Sequence, residues 1–174
     1  MEKPDFGSLQ FFQENPLKNR KVFSQMCGFV PQGNPLMEDL SVKDNLKLWS
    51  KKSLNQNIEL IKRFQLEDML KTPVKKLSGG MKRRVSIACA VADDEPILIM
   101  DEPTAALDIF HKENIHDFIR EFMKRNGIVI MATHDDAEIA MCDRLYFMQE
   151  KCTHELAGKE DVFVKIKEEL GRKQ

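Results

Sequence analysis

The sequence predicts an α/β fold, a parallel sheet flanked by helices with a small helical insert. Three observations carry this. Ile97–Met100 and Ile128–Ala132 are apolar at every position, as strands covered on both faces must be. A helical pattern from Asp108 to about Arg125 lies between them, and strand–helix–strand order makes the two strands parallel. The stretch from Leu36 to Lys76 has helical spacing and no strand pattern, which sets it apart as an insert.

Taken in order, Ser8–Phe12 reads as a short strand and Asn15-Pro16 as a turn. Pro16–Gln25 is a polar connection with helical potential from Leu17. Cys27–Val30 is a second apolar strand, halted by Pro31. Within the insert, Ser41 is the expected N-cap of a helix with Val42, Leu46 and Trp49 on one face, and Trp49 is expected in the core. Ile58, Ile61 and Phe64 mark a second helix, and Met69-Leu70 a short third turn before Pro73. Next comes a helix with Met81, Val85, Ala88 and Ala92 on its apolar side. Lys82, Arg83 and Arg84 are expected on a solvated face rather than as a nucleic-acid patch. The helix opening at Asp108 carries Ile115, Phe118, Ile119 and Phe122 and ends at Asn126-Gly127. Ile128–Ala132 is expected to be fully buried. A helix from Asp135 to Met141, a hairpin over Arg144–Met148 and Cys152–Leu156, and a terminal helix over Asp161–Leu170 complete the chain.

Bulk properties bound the function. The 174 residues suffice for one domain with a core. Lys and Arg total 27 against 28 Asp and Glu, a net charge of −1, which argues against nucleic-acid binding driven by overall charge. Cys27, Cys89, Cys142 and Cys152 form no CxxC pair and stand at no metal-ligand spacing to a histidine. They read as reduced, mostly buried thiols of an intracellular protein. The first ten residues have no apolar h-region, so no signal peptide is expected. No apolar run reaches the ~20 residues of a membrane span, so membrane work would need a partner to supply the span.

The chemistry concentrates between Leu77 and Pro103, LSGGMKRRVSIACAVADDEPILIMDEP. Ser78, Gly79 and Gly80 open a helix, where main-chain N–H groups and the helix dipole suit an anion. Asp101 and Glu102 follow an apolar strand directly, and paired carboxylates there suit a metal ion and a water. Ligands in parallel sheets sit beyond the carboxyl ends of the strands. Asp101, Glu102 and His134 all fall at such ends.

These segments resemble the nucleotide-binding domain of ABC transporters, in order and in spacing, over nearly the whole chain. Phe29-Val30-Pro31-Gln32 is similar to the Q-loop and Leu77–Met81 to the ABC signature. Ile97–Glu102 is similar to the Walker B strand with its catalytic carboxylate. Ala106-Leu107-Asp108 is similar to the D-loop and Thr133-His134-Asp135 to the switch histidine. The form LSGGMKRR is similar to drug-export members. The resemblance implies a P-loop NTPase-like sheet, with 1–174 one partial ATP-binding domain and 36–76 its helical subdomain. It implies ATP and Mg²⁺ as ligands, a transmembrane permease subunit and a second nucleotide-binding domain as partners, in a homo- or heterodimer, and no nucleic acid. It places the protein in the cytoplasm, at the inner face of the membrane through the permease. Asp101 and Gln32 would then face the metal, Glu102 would be the general base, and His134 would meet the γ-phosphate. Ser78, Gly79, Gly80 and Asp108 would contact nucleotide across a head-to-tail dimer.

One element of the pattern is missing. No GxxxxGK[ST] occurs in these residues, although the P-loop uses those groups to hold the β- and γ-phosphates. The resemblance therefore implies an N-terminally truncated domain, whose sheet exposes an apolar edge or face. It leaves two readings: an ATP-hydrolysing exporter subunit, or a non-catalytic domain lending its LSGGM to another subunit's ATP site. A soluble ABC protein of DNA repair or translation ranks last, because Leu36–Lys76 holds no sustained heptads and the D-loop region reads Ala-Ala-Leu-Asp.

Overall fold

Short apolar runs that cannot leave their main chain unpaired in the interior form the sheet. In the computed structural model, which describes residues 6–105, 107–156 and Val162, β1 (Cys27–Val30), β2 (Ile97–Asp101) and β3 (Ile128–Ala132) pair in parallel in the order β1-β2-β3. Cys27 stands beside Ile97 and Ile97 beside Ile128, so the three runs are in register from their first residues. The chain divides into two units, Met1–Ala132 and Thr133–Gln174.

In the first unit, α1 (Arg20–Met26) leads into β1, capped by Asn19, whose Oδ1 accepts from the Lys21 N–H at 3.1 Å. The stretch between β1 and β2 holds α2 (Val42–Trp49), α3 (Ile58–Arg63), two 3₁₀ turns (Glu67–Met69 and Val74–Lys76) and α4 (Gly79–Ala90). Ser41 caps α2 as its sequence predicts, accepting from the Asp44 N–H at 3.3 Å. α5 (Ile109–Lys124) joins β2 to β3. It ends at Asn126, whose left-handed φ of 63° lets the Gly127 N–H reach back to the Phe122 carbonyl at 3.1 Å.

α4 packs against β1 and α5 against β3. They cover the face that holds Val30, Leu98 and Met100, all fully buried. Gly28 makes the first of these contacts possible: a Cβ there would stand 2.0 Å from the Ala90 carbonyl oxygen. Five expectations need correction. Ile128 and Ile130 are about half exposed, at 45% and 53%, so β3 is not fully buried. Its second face, shared with half-exposed Phe29, is open at Ile128 and Ile130, although Cys27 and Ile97 on the same face are buried. Ser8–Phe12 makes no strand. The Phe11 N–H and carbonyl both pair with Glu14 across a turn with φ of 47° at Phe12 and 72° at Gln13, so the segment bonds to itself instead of to the sheet. Trp49 is 47% exposed: it shares a face with buried Val42 and Leu46 but is the last residue of α2, past the buried part of that face. Cys152 is exposed and Cys142 half-buried, whereas Cys27 and Cys89 are buried. The fifth concerns the basic run of α4, where Arg83 and Arg84 are buried.

The second unit opens with α6 (Asp136–Met141) and continues into an antiparallel hairpin of β4 (Leu145–Gln149) and β5 (Cys152–Leu156). Its turn has left-handed backbone at both Glu150 and Lys151, the geometry that matches strand twist in two-residue hairpins. The predicted Asp161–Leu170 helix lies outside the described residues, Val162 apart, as does Ala106.

Gly28→Ala is expected to destabilise the fold by about 2 kcal/mol or more, because the obstacle is main chain and cannot rotate away. Urea unfolding should show a lower midpoint with an unchanged slope.

Candidate functional site

Helix α4 begins where Ser78, extended at φ −65° and ψ 165°, turns its hydroxyl oxygen onto the Met81 N–H at 3.3 Å. The first main-chain N–H groups of a helix precede its own bonding pattern. Ser78 and Gly79 are exposed there, and nothing lies within 4 Å of where a Gly79 Cβ would be. Gly80 differs, since a Cβ on it would meet the His111 ring at 3.1 Å. That ring is held by Asp108, which caps α5: one carboxylate oxygen accepts the His111 N–H at 3.0 Å and the other lies 2.6 Å from His111 Nδ1. Both bonds, the main-chain one first, hold the Asp108 carboxyl below the usual range. The signature-like loop and the start of α5 thus meet through one imidazole.

The basic run that follows is not a solvated face. Arg83 and Arg84 are buried, and Lys82 pairs with Glu38 at 2.6 Å. A guanidinium can be buried when its fork of donors meets carbonyl oxygens, and Arg83 meets four. Its Nε donates to the Pro103 carbonyl at 2.8 Å and Nη1 to that of Pro31 at 2.5 Å. Nη2 donates to those of Asp101 at 2.9 Å and Glu102 at 3.0 Å. One side chain of α4 therefore fixes the residue before Gln32 and the turn that carries both carboxylates.

That turn is strained. Glu102 has φ 47°, a left-handed conformation that costs a non-glycine residue about 1–3 kcal/mol. It is held from both sides. Its N–H donates to the Ala132 carbonyl at 2.9 Å, and its own carbonyl accepts from Arg83 and, at 3.3 Å, from the Ala105 N–H. The twist turns Glu102 out of the alternation of β2 just where Asp101 ends the strand. Both residues are half-buried and Gln32 is exposed.

The structure thus brings together Asp101, Glu102 and the start of the Gln32 loop through Arg83, and Ser78–Gly80 with Asp108 through His111. His134 is exposed and belongs to the second unit. There Asp135 caps α6, accepting from Ala137 and Glu138 N–H groups at 2.9 and 3.3 Å. The Thr133 hydroxyl donates to buried Glu138 and accepts from the Asp135 N–H at 3.0 Å. His134 is therefore framed on each side by a residue tied to the start of that helix. Among the described residues no group of three His, Cys, Asp or Glu forms a metal cage. This donor set still fits Mg²⁺, which takes one or two carboxylates and completes its shell with water and substrate phosphate.

Sequence reasoning missed Arg83 and an apolar cleft. The signal for Arg83 was the choice of Arg at positions 83 and 84 beside Lys at 82, since Arg is the cation suited to buried carbonyl clusters. The cleft, about 540 Å³, lies in the first unit, with Phe29, Leu36 and Trp49 among its walls. Glu95, also on its wall, is buried and its carboxyl is pushed up by that burial.

Comparison with known proteins follows the same lines. The sequence model of the ABC transporter family matches residues 1–105. The Nod factor export ATP-binding protein I of Rhizobium sp. (strain N33) is 32% identical over 158 residues, which cover 86% of this chain and 52% of that protein. The chain thus spans about half the length of that relative. Among solved structures, an ATP binding subunit of an ABC transporter superposes with a TM-score of 0.81 at 20% identity, covering 95% of this chain and 78% of that one, a likeness of fold. The cbiO1 protein from Clostridium perfringens, part of the ABC transporter complex cbiONQ, superposes with a TM-score of 0.78 at 29% identity, covering 99% and 73%.

Arg83→Met should cost about 3 kcal/mol by urea unfolding, because it strips donors from carbonyls in a buried turn. Hydrogen exchange should rise at the Glu102 amide before it rises in α5. Asp108 gives a pH signature. Its folded pKa is depressed, so its stabilisation is present above the ordinary carboxylate value and is lost as pH falls through the depressed one. Asp108→Asn, which keeps the cap, should therefore be less stable than wild type at neutral pH. The gap should close below about pH 4 in thermal unfolding scans.

Proposed function

The chain belongs to the ABC transporter family, and on that premise we propose that it is the ATP-binding and ATP-hydrolysing subunit of an exporter, coupled to a separate membrane subunit. The observation that carries this is the Asp101–Glu102 turn, held at the carboxyl end of β2 by Arg83. Such a turn gives adjacent carboxylates fixed and different directions, as a metal ligand and a general base require.

In this reading Asp101 would hold Mg²⁺, with Gln32 on the loop after β1 as the second residue toward the metal and the attacking water. Mg²⁺, when bound with ATP, supplies positive charge against the phosphates. Glu102 takes the proton of the attacking water. The strained backbone aims its carboxylate, so the base need not find its direction during reaction. His134 donates toward the γ-phosphate and steadies the water. Ser78, Gly79 and Gly80 offer a hydroxyl and main-chain N–H groups to the γ-phosphate of ATP on a second nucleotide-binding domain, where Asp108 adds its contact. Open space at Gly79 and exposure of Ser78 support that role.

Leu36–Lys76 is the helical subdomain in this reading, and the cleft walled by Phe29 and Trp49 seats a segment of the permease. Exposed aromatic side chains on a concave apolar surface suit a partner helix. No helix among the described residues is long and apolar enough to cross a membrane, and the reading assigns that span to the permease. The protein then works at the inner face of the membrane. The Nod factor export name of relatives supports export as the direction, and membership of cbiO1 in a complex supports a permease partner.

In the assembled transporter, Glu102→Gln should lower ATP turnover by about 100-fold or more while ATP still binds. Turnover at the wild-type rate would overturn the assignment. Residues 1–174 alone, which contain no GxxxxGK[ST], should bind ATP weakly and turn over little. Tight binding with Glu102-dependent turnover by that polypeptide would contradict this.

A further inference from the structure

We propose that a junction of α3, α4 and α5, away from the carboxylate turn, binds a single small anion of the halide type. A water-sized cavity of about 10 Å³ lies there, lined by Arg63, Phe64, Gln65, Arg84, Asn114 and Ile115. Two of these residues carry a buried N–H group with no acceptor among the described residues: Nη2 of Arg63 and Nε of Arg84. Another nitrogen of each guanidinium is engaged. Arg63 Nε donates to a Glu121 carboxylate oxygen at 2.9 Å, whereas Arg84 Nη1 donates to the Phe64 carbonyl at 3.0 Å and to Gln65 Oε1 at 3.3 Å.

The charges do not balance. Arg63 and Arg84 bring two positive charges and Glu121 one negative. Arg84 is only 8% exposed and has no carboxylate partner among the described residues. An unpaired buried cation is costly, and proteins offset it with a counter-charge. A water in the cavity would accept both N–H bonds yet leave that charge uncompensated. A monoatomic anion does both, and the cavity has room for about one water-sized particle. Phe64 and Ile115 supply an apolar wall, and no carboxylate lines the cavity to repel an anion. Gln65, with left-handed φ of 53°, sits where the main chain bends to bring its side-chain oxygen to Arg84. The anion would tie α3 to α4 about two turns beyond the Ser78 cap.

The test combines crystallography and thermal unfolding. Crystals transferred to sodium bromide should show an anomalous peak between Arg63 and Arg84. In solution, the unfolding midpoint should be about 3 °C higher in sodium chloride than in sodium gluconate at equal ionic strength. Gln65→Glu places a carboxylate where the amide oxygen now meets Arg84. It should raise the midpoint in gluconate and erase the difference between salts, which a general salt effect would not do. Arg63→Gln should shrink the difference. No anomalous peak with equal midpoints would mean water only and overturn the proposal. A bromide peak without salt-specific stabilisation, an adventitious ion only, would overturn it as well.

Discussion

A single guanidinium sets the geometry on which the rest of the first unit's site depends. Arg83 joins three segments that are far apart in sequence: the loop after β1, the helix α4, and the turn after β2. These four acceptors are all main-chain carbonyls, so these bonds hold the turn by its backbone. The strain at Glu102 is stable only because that turn is over-determined, by Arg83 on one side and the Ala132 carbonyl on the other. Burial of α4 and of the sheet face it covers makes this possible, because a guanidinium in water would have no reason to prefer carbonyls.

What was legible in the sequence was local. Ser41, Ser78 and Asp108 all cap helices as their side chains predict, and β1, β2 and β3 form where unbroken apolar runs stand. A cap and a run need only neighbouring residues to be recognised. The candidate site was proposed at the same level, from the order of its segments. What escaped depends on distant residues. Lys82, Arg83 and Arg84 look alike in sequence, yet two of them are buried because carbonyls from elsewhere converge on them. Trp49 is apolar and at helical spacing, but it is the last residue of α2, beyond buried Val42 and Leu46. Ile128 and Ile130 look like interior strand residues, and the degree of cover on a sheet face is written in no single run. Ser8–Phe12 has strand composition, but its ladder groups close on Glu14.

These corrections bear on function as well as on packing. The exposed Trp49 and Phe29 face a common cleft, so the residue expected to be inert core becomes a surface on which a partner can press. Phe29 of β1 lines that cleft, and the loop after β1 is bonded to the carboxylate turn through Arg83 at the Pro31 carbonyl. A displacement at the cleft thus has a short, hydrogen-bonded route to Glu102. His111 provides the second link, since it lies against Gly80 and is bonded to Asp108. The Ser78–Gly80 loop and the start of α5 are then expected to move together.

In the proposed assembly the stretch from Leu77 to Pro103 serves two nucleotides at once, its Ser78 end facing a partner's ATP and its Glu102 end the chain's own. Subunit mixing tests this most directly. Transporters are assembled with one copy carrying Ser78→Arg and the other Glu102→Gln, and ATP turnover is compared with that of assemblies carrying either change in both copies. The account predicts that each uniform assembly is inactive while the mixed one recovers turnover, because one site then has both Ser78 and Glu102 intact. A mixed assembly as inactive as the uniform ones would mean that both residues act on the same subunit's nucleotide, and would contradict the account.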